Sequence, residues 1–76
     1  MDYAEFVAEI TRQSSGLWHL KCHLDTRAAD GGSLVNSRVL MDSPPLIDCE
    51  GKARTTALEL ARSFNFGINA IRWVVR

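Results

Sequence analysis

The segment LWHLKCHLD, residues 17 to 25, alternates without a break. Trp18, Leu20, Cys22 and Leu24 fall on one side, and His19, Lys21, His23 and Asp25 on the other. A period of two marks a half-buried β-strand; a helix would mix the apolar and polar sets. A chain with such a strand must build a sheet around it and cover one face with apolar residues.

The same periodicity decides the chemistry of the segment. On a helix His19 and His23 would sit one turn apart and share a zinc ion. On a strand four rises separate them, roughly 13 Å, and Cys22 points to the opposite face. The segment is therefore read as a strand with two solvated histidines, and no metal is expected.

Turn residues in ADGGS lead to a second strand, antiparallel to the first. There Val35, Ser37, Val39 and Met41 share one face, and Leu34, Asn36, Arg38, Leu40 and Asp42 share the other. The prolines of SPPL end it, because neither donates to a ladder. EGKARTTALELARSF follows as a helix. Its apolar stripe is Ala53, Ala57, Leu60, Ala61 and Phe64, and the Asn65–Gly67 region supplies the stop. INAIRWVVR closes the chain as a strand with Ile71, Trp73 and Val75 toward the core, placed at an edge or beside strand 17–25.

The opening residues carry a different pattern. Tyr3, Phe6, Val7 and Ile10 recur at helical spacing, Asp2 and Glu5 fit a capping box, and Gly16 suits a stop. The spacing predicts a helix over residues 3–14. The expected fold is α+β, a two-layer sandwich of order α-β-β-α-β. Its sheet is three-stranded and mainly antiparallel, and both helices lie on one face. Residues 1–76 make one domain. Trp18 and Trp73 face the helices as core anchors, each burying on the order of 200 Å².

A chain of 76 residues buries only about 60% of its unfolded surface, so its stability margin is thin. Nine basic residues balance nine acidic ones, so only an uneven distribution attracts nucleic acid or an anionic membrane. The start, MDYAEFVAEI, lacks the basic region and apolar core of a signal peptide. No apolar run approaches the roughly 20 residues that span a bilayer. The expectation is a cytoplasmic protein without membrane association, its Cys22 and Cys49 reduced.

The sequence offers little for catalysis. EGKARTT lacks the first glycine of a phosphate-binding loop, Leu46 standing in its place, and Ala53 occupies the Ser/Thr position. Cys49, near a helix start, is the better candidate for thiol reactivity, but no histidine can be placed beside it. GKARTTALELA is similar to the last helix of double-stranded RNA-binding domains over that segment alone. A strand follows here, and no residue roles are taken from the likeness.

What remains is a distribution of charge. His19, Lys21, His23, Arg38, Arg72 and Arg76 gather on the outward sheet face, with Asn36 and Asn69 near its margins, while the acids go mostly to the first helix and the loops. Leu17, Leu34, Leu40, Ala70 and Val74 lie among these charges, a mixture that favours a covering partner. The expected function is a non-enzymatic protein-interaction module without cofactor, acting through the open sheet face or an edge strand. Its partner is a protein or a second copy of itself. The alternative is nucleic-acid binding through the same face.

Overall fold

A computed structural model describes residues 1–76. Its elements are β1 (Tyr3–Arg12), β2 (Trp18–Arg27), β3 (Leu34–Asp42), α1 (Glu50–Ser63), a single 3-10 turn at Ile68–Ala70, and β4 (Ile71–Val75). The strands form one mixed sheet of order β3-β2-β1-β4. β1, β2 and β3 make an antiparallel meander, and β4 pairs parallel to β1. α1 carries the chain from one edge of the sheet to the other, as a parallel pairing requires. The fold is α+β, but the order is β-β-β-α-β, with one helix and four strands. The expected α-β-β-α-β arrangement of two helices on three strands is incorrect.

The correction comes from residues 3–12, which form the central strand rather than a helix. Phe6, Ala8 and Ile10 alternate and are completely buried under α1. They lie opposite Leu24, Cys22 and Leu20 on β2 and opposite Ile71, Trp73 and Val75 on β4. Val7 lies on the other face, yet it is also buried, because neighbouring strands flank it on both sides. Apolar burial at Phe6 and Val7 together imitates a helical stripe. β4 therefore borders β1, not the strand containing residues 17–25. Gly16 ends no helix. At φ 88° it takes the left-handed turn of the β1–β2 hairpin, donating its N–H to the Gln13 carbonyl at 3.0 Å. Gly16→Ala should lower the urea midpoint by the equivalent of about 1 kcal/mol, measured by tryptophan fluorescence.

α1 has the predicted position and stop. The Phe66 N–H bonds the Ala61 carbonyl at 2.9 Å and the Asn65 N–H bonds that of Arg62 at 3.0 Å, with Asn65 left-handed at φ 66°. This pair of bonds satisfies the last carbonyls of the helix. It also turns Phe66 back onto the core, where its ring lies 5.8 Å from that of Phe6. Ala53, Ala57 and Ala61, one turn apart, are completely buried. Their small side chains let the helix lie close over β1 and β2. Trp18 and Trp73 pack on this side, as read from their phase, and the Arg54 guanidinium lies 5.0 Å from the Trp73 ring centroid.

Cover is incomplete. A 14-residue helix spans about 21 Å, whereas a ten-residue strand reaches about 33 Å. The molecule measures 42 × 22 × 17 Å. The distal part of the β2–β3 hairpin therefore projects past the helix, and no residue of β3 is fully buried.

Candidate interaction surfaces

The sheet face opposite α1 is built from the alternate positions of β1 and its neighbours. Glu5 lies directly opposite Asp25, a like-charge pair that would be destabilising alone. Arg27 bridges it, donating from Nε to Glu5 Oε1 at 3.4 Å with Nη2 3.8 Å from Asp25 Oδ2. Arg72 Nη1 donates to the same Glu5 oxygen at 3.4 Å. Glu9 accepts Arg76 Nη1 at 3.1 Å on one oxygen and meets His23 Nε2 at 3.1 Å on the other. His23 Nδ1 meets Asp25 Oδ1 at 2.7 Å, and Ser37 Oγ donates to that oxygen at 2.7 Å. His19 Nε2 pairs with Asp42. Lys21, opposite Glu9 and Asp42, makes no ion pair.

Five of the six residues expected on this face are on it: His19, Lys21, His23, Arg72 and Arg76. Arg38 is not. β3 carries irregularities opposite Cys22/His23 and Thr26/Arg27, and between them Arg38 pairs with Leu24, on the helix side. Each irregularity inserts a residue and reverses the alternation beyond it. Ser37 and Val39 thus share the outer face with Asp25 and His23. Met41 lies opposite Cys22, and it and Leu40 pack against the core. The face is also not basic. Glu5 and Glu9, assigned to a helix by their spacing, enter the sheet in its central strand and neutralise the bases beside them. Period-two alternation of Ala4, Phe6, Ala8 and Ile10 against Glu5, Val7, Glu9 and Thr11 was the signal for that strand.

The His23 cluster is a structural network. Ser37 Oγ donates to Asp25, not to His23, so the imidazole has no hydroxyl to activate. His19 and His23 engage separate carboxylates, and no group of three or more His, Cys, Asp or Glu converges on one point. Burial pushes the Asp25 carboxyl up, but hydrogen bonds from Ser37 and His23 and the charges of His23 and Arg27 outweigh it and hold the group below 3.8. A depressed folded value makes the contribution of Asp25 to stability complete above the ordinary carboxylate range. It is lost as pH falls through the folded value. Asp25→Asn should therefore be less stable than wild type at pH 7. The difference should shrink as pH falls through the acid range below the ordinary carboxylate value, as measured by urea titration at each pH.

The thiols separate clearly. Cys22 is completely buried in the sheet, and desolvation raises it to about 11. Cys49 is exposed at the start of α1, beside Gly51, Lys52, Thr55 and Thr56, and makes no side-chain cap bond. Lys52 is engaged by Asp48 at 2.7 Å and Arg54 by Glu50 at 2.7 Å, so the cations at this helix start face their own acids. Iodoacetamide at pH 8 should label Cys49 alone in the folded chain and both cysteines in urea, read by intact mass.

The second surface is the free edge of β3. This strand has nine residues and contains neither proline nor lysine. Leu34, Val35 and Val39 are 54%, 57% and 53% exposed. The opposite edge, β4, has five residues, with Arg72 within it and Arg76 immediately after it. Natural sheets blunt their edges by shortness, charge and irregularity. β4 has the first two; β3 has the third, an inserted residue at Val35 and at Leu40, but it is long and leaves Leu34, Val35 and Val39 exposed.

Compared with protein-family models, with curated proteins and with solved structures, the chain matches none. No helix is long and apolar enough to cross a membrane.

Proposed function

We propose that the chain is a small non-enzymatic protein-interaction module that docks a partner's β-strand on the open edge of β3. The observation that carries the reading is the exposure of Leu34, Val35 and Val39 along a nine-residue edge strand. An added strand would satisfy the outward N–H and C=O groups of β3 and remove these side chains from water. The outer face contributes orientation: Lys21 keeps an unpaired charge there, and the ionic network around Glu5, Glu9 and Asp25 stiffens the sheet behind the edge. We place the module in the cytosol, where its free thiols persist. The nucleic-acid alternative drew on an unbalanced basic face. With Glu5, Glu9 and Asp25 paired into that face, its attraction for phosphates is weak.

The reading is tested by in-cell cross-linking of wild type, Val35→Lys/Val39→Lys and Lys21→Glu/Arg72→Glu, with tagged second copies included. The expected result is a cross-linked species that the valine variant loses and the outer-face variant retains. A wild-type chain that cross-links to nothing, or a species unaffected by the valine changes, would overturn it.

A further inference from the structure

We propose that Glu9 is the arm of a proton-driven switch: it holds His23 while that ring carries two protons, and it passes to Lys21 when one of them leaves. The switch belongs to the outer face and is independent of what docks on β3. Its basis is the bonding capacity of the groups around His23. Nδ1 lies 2.7 Å from Asp25 Oδ1, and Nε2 lies 3.1 Å from Glu9 Oε2. An ionised carboxylate only accepts, whereas a neutral imidazole donates from one nitrogen and presents a lone pair at the other. Asp25 Oδ1 already accepts the Ser37 hydroxyl and Glu9 Oε1 accepts Arg76 Nη1, so both carboxylates serve as acceptors. Both contacts are therefore hydrogen bonds only in the imidazolium form. The bond to Asp25 is the shorter and stays within β2; the bond to Glu9 is the longer and crosses to β1. The proton that passes to water is thus that of Nε2, and Nδ1–H stays on Asp25. Nε2 then turns a lone pair toward Glu9 Oε2, and that contact must open.

Lys21 is where the arm goes. It stands directly opposite Glu9 in the β1–β2 register and yet makes no ion pair. Opposite residues have Cβ atoms about 5 Å apart, well inside the reach of a lysine side chain. Its ammonium is idle because both nearby acids are committed, Glu9 to His23 and Arg76, and Asp42 of β3 to His19. No other charge beside His23 is free to take its place. Glu5 of β1 is held by Arg27 and Arg72, and Arg76 keeps Glu9 Oε1 in both states. Val7 and Val39, directly opposite His23 on β1 and β3, carry no charge, and α1 packs on the far face. The two states differ by one proton and one ion pair. With His23 doubly protonated, the Lys21 ammonium is free on the outer face; with His23 neutral, Glu9 covers it. Histidine is the side chain suited to such an exchange near neutrality.

The test is a pH titration of the wild-type chain by NMR, following the ring nitrogens of His23, the carboxyl carbon of Glu9 and Cε of Lys21. On deprotonation Nε2 should take the shift of a bare ring nitrogen while Nδ1 keeps that of a protonated one. Glu9 and Lys21 should move with the same midpoint. His19, two residues from Lys21, is a second titrating ring, so the Lys21 response should persist in His19→Gln and vanish in His23→Gln. A proton retained at Nε2 of the neutral ring would overturn the switch. So would a Lys21 signal that ignores the His23 midpoint or follows His19 alone. The wild-type titration decides by itself if His23→Gln fails to fold.

Discussion

Phe6→Ala is expected to remove a large share of the chain's stability at 25 °C. Phe6 is completely buried in the central strand between Leu24 and Ile71, and its ring packs against Phe66 beyond the end of α1. It thus joins three strands and the helix stop. Truncating a buried phenylalanine costs about 3–5 kcal/mol. A domain of this length has a total stability of roughly 4–11 kcal/mol. Urea unfolding followed by tryptophan fluorescence should show the midpoint collapse. Tyr3→Ala supplies the contrast. A helix over residues 3–14 would set Tyr3 on the same buried stripe as Phe6, but in the sheet it is 47% exposed. Its loss should fall within about 0.5 kcal/mol, as for ordinary surface positions. Comparable losses at both positions would contradict the strand.

Ala57→Leu is the second large effect, and its sign opposes local preference. Alanine and leucine are both strong helix formers, so propensity alone predicts almost no change. Ala57 is completely buried at the middle of the alanine stripe, against a sheet surface of Phe6, Ala8, Leu20 and Cys22. Three added carbons must push α1 off β1 and β2 or force strained rotamers, which costs about 1–3 kcal/mol. Thermal unfolding by circular dichroism measures it. The equivalent change at Glu59, exposed on the helix, should be near neutral. A stable Ala57→Leu variant would mean that the helix does not lie close on the sheet.

The elements legible in the sequence were those whose burial is one-sided. β2 alternates because one face is under α1 and the other carries His19, Lys21 and His23. α1 shows its alanine stripe, and Asn65 announces its end. β1 was illegible because it sets an apolar residue, Val7, among the polar residues of its outer face, between His23 and Arg72, whereas the equally interior β2 keeps that face polar throughout. Strands on both sides bury Val7 on the outer face as well as Phe6 on the inner, and two adjacent apolar residues resemble a helical stripe. Its acids strengthened that impression, since Asp2 and Glu5 fit a cap. Their partners Arg72 and Arg76 stand 67 positions downstream of Glu5 and Glu9, beyond any local pattern. The basic face failed for the same reason, as its neutralising carboxylates had been placed elsewhere. Arg38 was misassigned because an inserted residue in β3 is set by pairing with β2 and leaves no mark in spacing. The exposure of Val39 has the same origin, since the inserted residue turns it to the outer face, away from α1, and Val35 is itself the inserted residue between Leu34 and Asn36.

The central claim is that the β3 edge is where this protein meets its partner, and amide hydrogen exchange resolved by NMR tests it most directly. Exchange is measured along β3 and β4 of the labelled chain in dilute buffer and in lysate of the cells used for cross-linking. Amides of residues 34–40 should gain protection in the lysate, while those of β4 keep their rates. Unchanged exchange along β3 in the lysate, or protection at β4 instead, would overturn the docking edge.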